Sequence, residues 1–130
     1  MFTESISSAA LEKSMAASWK KAQLINHNIA NEDTPGYKAK RLEFESLLKA
    51  QIQRRDRITA SAKGDRISGI KNISPFVYDD RSTSVRIDEN NVNLDSEQVE
   101  LARTQLHYQA MRDRINSGYA LLRYAISGGR

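Results

Sequence analysis

The chain contains no cysteine. Disulfides, thiolate metal sites and cysteine nucleophiles are therefore excluded. Proline occurs twice and glycine six times in 130 residues, so tight turns are few and their positions are informative. Histidine also occurs twice, as His27 and His107, and no acidic cluster is spaced to join either one in a catalytic or metal-binding set. No run approaches the roughly 18 apolar residues of a membrane span, so no direct span is expected. The opening MFTESISSAALEKSM has neither a basic leader nor a continuous apolar stretch, and a cleaved signal peptide is not expected. Nucleophile–base pairs, metal-ligand clusters and phosphate-binding loops are missing as well. Gly128-Gly129 has no following helix and no lysine. These absences argue against an enzyme and against any cofactor.

Hydrophobic residues make up 39% of the chain, which at this length supports one domain with a thin core. The net charge is +4, and the excess is local: Lys38 to Lys71 holds ten Lys/Arg against four Asp/Glu. Such a segment reads as a solvated face, or as contact with an acidic partner, nucleic acid or lipid head groups.

The apolar pattern is that of two long helices. Leu11, Met15, Ser18, Ala22, Ile25 and Ile29 are spaced 4, 3, 4, 3, 4, a heptad stripe. Ala10, Ala17 and Leu24 lie beside it at intervals of seven. This helix is expected from Ser5 or Ser7 to about Asn31. Trp19 flanks the stripe and fits either local packing or an anchor into a neighbouring molecule. His27 falls in the last turns, where a cation favours the helix C-terminus.

At the far end, Leu101, Thr104, Tyr108, Met111, Ile115, Gly118, Leu122 and Ala125 repeat at 3, 4, 3, 4, 3, 4, 3. Val99, Ala102, Leu106, Ala110 and Tyr124 form a flanking row. Asp95 is the expected N-cap with Gln98 in capping-box position, and Leu94 with Val99 the expected hydrophobic staple. The second helix is expected over 95–127. Gly118 inside it costs about 1 kcal/mol relative to alanine, and close backbone contact is its simplest explanation.

Residues 32–94 form the expected turn and outer segment. Asn31 suits a left-handed C-cap. Pro35 biases Thr34 away from the helical region, and Pro35-Gly36 fits positions i+1 and i+2 of a type II turn. A short helix is expected over Glu43–Gln53. From Ile58 to Asn91 there is no helical periodicity. Phe76-Val77-Tyr78 and Ser84-Val85-Arg86-Ile87 have strand character and pair as a small hairpin, unless the segment is irregular or held by a partner. The expected fold class is mainly α: long N- and C-terminal helices paired as a coiled coil, joined by a short helix and an irregular or hairpin middle.

Asn28, Ile29, Ala30, Asn31, Thr34, Pro35, Gly36 and Tyr37 spell N-I-A-N-x-x-T-P-G-Y. Attached to a heptad helix, this stretch resembles the signature of the bacterial flagellar rod and hook axial proteins. Three further patterns are similar to the proximal-rod branch of that family. They are V-x-L-D-x-E at Val92, Leu94, Asp95 and Glu97, Y-Q-A at Tyr108, Gln109 and Ala110, and L-R-x-A-I at Leu122, Arg123, Ala125 and Ile126. The resemblance covers about residues 9–48 and 88–127.

The resemblance implies a single axial-protein domain over 1–130, acting as a structural subunit of the basal-body rod. It implies polymerisation through the terminal helices into the tubular drive shaft of motility. The implied partners are the protein itself, other rod proteins, the rod-base adaptor and the flagellar type III export gate. The implied location is the basal body, within the periplasm where one exists, reached without a cleaved signal peptide. With so thin a core, the free monomer is expected to be partly unfolded and to order its terminal helices on assembly. The alternative is a basic helical module that binds nucleic acid. It accounts for the charge, but the basic residues are spread out and the helix stripes are apolar.

Overall fold

The computed structural model describes residues 5–53, 60–82 and 86–128. In order, the elements are α1 (Ile6–Ala30), β1 (Lys40–Glu43), α2 (Glu45–Gln53), α3 (Ala60–Lys71), β2 (Phe76–Asp79) and α4 (Leu94–Ile126). The fold is the mainly helical one expected, framed by the two terminal helices. With 25 and 33 residues, α1 and α4 are about 37 and 50 Å long at 1.5 Å per residue. They run antiparallel. Asn28 meets Glu97, Lys21 meets Glu100, and Trp19 meets Tyr108.

Helix α1 starts at Ser5, whose hydroxyl accepts from Ser8 N at 3.0 Å while Ser8 Oγ accepts from Ser5 N at 3.1 Å. This capping box satisfies two of the free donors of the first turn. The other end departs from expectation. Asn31 has φ −107°, not the left-handed conformation. The helix tightens through Asn31 N to Asn28 O and Glu32 N to Ile29 O, and the Asn31 amide caps the His27 carbonyl at 2.8 Å. A side chain, not a left-handed backbone, satisfies the exposed carbonyl. The Pro35-Gly36 turn follows: Tyr37 N donates to Thr34 O at 3.2 Å, and Gly36 has φ +71°, as position i+2 of a type II turn requires.

Helix α4 starts earlier than expected. Its N-cap is Asn93, which accepts from Ser96 N at 3.0 Å. Asp95 instead lies in the first turn with Glu97, where both carboxylates favour the positive end of the helix dipole. Gln98 is therefore no capping partner, and Leu94 with Val99 is no staple, since Val99 is 69% exposed.

The seam between α1 and α4 is buried at Ile25 and Thr104. Leu11, Met15, Ala22, Ile29, Leu101, Tyr108, Met111 and Ile115 are half-buried along it. Gly118 and Leu122 are exposed.

The middle corrects two expectations. Ala60–Lys71 is helical although it has no apolar repeat. Ile67 and Ile70 suffice to dock it, packing on Ala9 of α1 with Ile6, Ala10 and Leu48 around them; tertiary contact holds this helix rather than an amphipathic stripe. Second, β2 pairs with β1, antiparallel, with Lys40 opposite Asp79 and Leu42 opposite Val77. Arg86 and Ile87, expected in its partner strand, do not pair with it. Arg86 and Ile87 fall in a bend and turn, closed locally by the Arg86–Asp88 ion pair at 3.0 Å. Ser84 and Val85 lie outside the described residues. The short helix expected over Glu43–Gln53 is α2, shortened at its start by the strand.

Candidate assembly site

The turn motif sits in a cluster of bonded polar groups. Asn28 is fully buried. Its Nδ2 donates to Lys40 O at 3.0 Å and to Glu97 Oε2 at 3.1 Å. Its Oδ1 accepts from Lys40 N at 2.8 Å and from the Tyr37 hydroxyl at 3.2 Å. Both amide donors and both lone pairs are therefore used. The side chain mimics a strand partner for Lys40 and closes the outer edge of β1 onto α1. Strand β1 is thus pre-positioned, which explains why β2 pairs there.

Asn90 is also fully buried. Its amide donates to the carbonyls of Asn31, Glu32 and Thr34 at 2.9, 2.8 and 2.9 Å, and its Oδ1 accepts from Val92 N at 2.8 Å. These carbonyls belong to the turn that follows α1, where Asn31 O and Thr34 O also accept from Thr34 N and Tyr37 N. Asn91 accepts from Ala39 N at 2.7 Å and donates to Asp80 O at 2.8 Å. Gly36 N donates to Asp88 O at 2.7 Å. The segment before α4 is thereby stitched to the segment after α1.

Glu97, 1% exposed, links the third element. Arg41 Nη1 donates to its Oε1 at 2.6 Å. A buried carboxylate is tolerated only when paired and hydrogen-bonded, and here Arg41 and Asn28 share that task. Burial opposes the charge on Arg41, but the bonds to Glu97 and Asp80 hold its guanidinium above the ordinary value. His27 Nδ1 lies 2.7 Å from the Tyr37 hydroxyl. Burial pushes that hydroxyl above its ordinary pKa, with nearby Lys40 opposing. Among the described residues no group of three metal-ligating side chains occurs, and no helix is long and apolar enough to cross a membrane.

This arrangement gives the motif residues distinct places. Asn28 is buried; Ile29, Asn31 and Tyr37 are half-buried; Ala30, Thr34, Pro35 and Gly36 are exposed. Sequence reasoning missed Asn90, Asn91 and Arg41 as members of the same cluster. The available signal was the Asn90-Asn91 pair just ahead of a helix start. The basic run is not an open patch at its beginning. Lys40 pairs with Asp79 at 3.0 Å, Arg41 pairs with Glu97, and Lys38 donates to Glu89 O at 2.6 Å. Arg54, Arg55 and Arg57 lie outside the described residues.

The second feature is the far side of α4. Val99, Leu106, Leu121 and Tyr124 are 69, 65, 69 and 63% exposed. With Ala102 and Ala110 they recur at helical spacing on the side turned away from α1. Trp19 is 59% exposed although its ring lies 6.2 Å from that of Tyr108, so it both packs locally and faces outward. The total accessible surface is 9527 Å². A compact chain of 14.7 kDa exposes about 6,900 Å², so this surface is larger than that of a compact chain of the same mass.

No protein-family model matches the chain. Curated relatives do. The chain is 36% identical over 121 residues to a protein named flagellar basal body rod protein FlgB from Bacillus subtilis (strain 168), the match spanning 92% of each. It is 34% identical over 98 residues to a protein of the same name from Borreliella burgdorferi, covering 68% of this chain and 71% of the relative. A third, from Aeromonas hydrophila, is 28% identical over 111 residues, covering 84% and 83%.

Proposed function

The chain belongs to the FlgB family of flagellar basal body rod proteins and is a structural subunit of that rod; on this premise we propose that it polymerises through its two terminal helices into the wall of the proximal rod. The observation that carries the proposal is the apolar outer face of α4, left bare after α1 has been paired. The face is apolar at Val99, Ala102, Leu106 and Ala110 and again at Leu121 and Tyr124, with the exposed Asp113 and Ser117 between, and exposed apolar patches of this kind mark interaction surfaces. Residues 32–93 lie to the outside of that wall. The cluster around Asn28 and Asn90 fixes the angle at which they leave it, and rotation is transmitted through this fixed geometry. The reading includes no catalytic role and no nucleic acid.

The partners in this reading are further copies, other rod proteins, the rod-base adaptor and the type III export gate. Export proceeds without a cleaved signal peptide, into the periplasm where one exists. In the free chain the turn end of the hairpin stays ordered and the open end frays. Among the described residues, three of the eight buried hydrophobic ones are alanines, which bury little area each. Circular dichroism of dilute monomer with full helicity and a sharp melt would count against this.

Leu106→Asp tests the main proposal. Leu106 is 65% exposed, so the free chain keeps its helicity, while rods fail to form and cells do not swim. Normal swimming with this variant removes the outer face from rod assembly.

A further inference from the structure

A groove of about 450 Å³ opens between the start of α1 and the last turns of α4, lined by Leu11, Glu12, Ile115, Gly118 and Leu122. Gly118 stands in it, and a Cβ added there would meet nothing within 4 Å. Nothing inside the chain therefore requires glycine, and alanine would be the better helix former. The missing side chain leaves room for a neighbouring molecule to bring its backbone close.

We propose that this groove receives the outer face of α4 from a second copy, with Gly118 at the point of closest approach. The proposal rests on the rod-subunit reading above and names the partner of that surface. The occupant must be helical and apolar, with small residues that let two backbones approach. The outer face of α4 has this composition: Ala102 and Ala110 alternate with the exposed Val99 and Leu106. Charge complements it. Glu12 stands on the α1 wall of the groove, with Arg114 the basic residue of its α4 wall. Arg103, beside Ala102, is 69% exposed and held only by a 3.9 Å contact to Glu100.

Within one chain Glu12 and Arg103 cannot meet. Glu12 lines the groove together with Ile115, which stands about 18 Å along α4 from Arg103 at 1.5 Å per residue. They meet when successive copies are stepped by that distance. Groove and face share a border at Leu121, but Glu12 and Gly118 belong to the groove alone and Val99 and Leu106 to the face alone, so the contact does not close on itself, and it propagates as a helical filament.

The absence of cysteine makes a clean test available. Glu12→Cys with Arg103→Cys places two thiols too far apart to join within one chain. Mild oxidation of isolated basal bodies, followed by non-reducing electrophoresis, is expected to give a ladder of cross-linked copies. A variant that enters the basal body but stays monomeric, or joins only a protein of another mass, overturns the proposal and leaves the rod role standing. A wild-type chain absent from basal bodies would overturn the rod role itself. Gly118→Ala provides the second measurement. Helicity of the free chain is unchanged or raised, while incorporation into rods falls about tenfold through overpacking. Undiminished incorporation also overturns the proposal.

Discussion

At the turn end of the α1–α4 hairpin, Asn28 and Asn90 are fully buried and richly hydrogen-bonded. At the open end, a Cβ added at Gly118 would meet nothing within 4 Å, and Leu121, Tyr124 and Ile126 are exposed. One helix pair thus ends in a closed polar network on one side and an open apolar surface on the other. The two kinds of interaction do different work. A satisfied polar network is directional and sets a unique geometry, whereas apolar burial is non-directional and drives association. A subunit that must hold a fixed angle and still polymerise needs both, and here they are separated along one hairpin.

The sharpest way to break this comparison is Asn90→Ala. The substitution removes the bonds of Asn90 to three carbonyls and one amide, although the Asn31 and Thr34 carbonyls keep their turn bonds, a loss of about 3 kcal/mol. Thermal melting of the purified chain should fall by about 10 °C. An unchanged melt would mean that the turn end is not the self-sufficient half.

Next comes a pair of seam variants. Leu101→Asp introduces a charge beside the polar network, where the helices are in close contact, and destabilises the free chain by about 2 kcal/mol. Ile115→Asp makes the same change near the open end and costs about 1 kcal/mol or less in the free chain. Both should abolish motility, because the proposed assembly covers both faces. Equal destabilisation of the two free chains would erase the difference between the ends.

The double change Pro35-Gly36→Ala-Ala is milder. Gly36 has φ +71°, a conformation that costs a non-glycine residue about 1 kcal/mol, and α1 loses its stop. Stability should fall by about 1–2 kcal/mol, with the basic segment misplaced and rod yield reduced. Normal rod yield would show that the exit angle of the chain does not matter.

How much of this could be read from the sequence differs between the same two features. The helices and the turn were legible because their signals are local: a 3.5-residue repeat, and a proline followed by a glycine. Helix α3 and the β1–β2 pairing were not, because both depend on contacts far apart in the chain. Val77 finds Leu42 across two helices, and Ile70 finds Ala9. The α4 cap was misplaced by two residues because Asn93 and Asp95 are both good capping residues. The choice between them follows from Asn90 and Asn91, which fix the direction of the incoming chain. Asn28 was visible as a motif residue, but its role as a surrogate strand partner needs β1 beside it. The open face was legible as a flanking row, since exposure follows once α1 covers the opposite side.

The smallest expected effect is acid weakening of the turn half. The Lys21 hydrogen bond at 2.6 Å holds the Glu100 carboxyl below its ordinary value of 4.5, against partial burial. The Ser82 backbone bond, with Arg41, holds Asp80 below 3.8, again against burial. A carboxyl whose folded-state pKa is lowered binds its proton less readily folded than unfolded. Its stabilisation is therefore complete above the ordinary value and is lost as pH falls through the lowered one. Both groups are partly solvated, so each contributes below about 1 kcal/mol. Both belong to the turn half, and acid should therefore narrow the difference between the two ends. Lys21→Ala removes the Glu100 share, and the fall of Tm below about pH 4.5 should become shallower. An identical acid limb in that variant would remove the Lys21–Glu100 pair from the forces that hold the turn end closed.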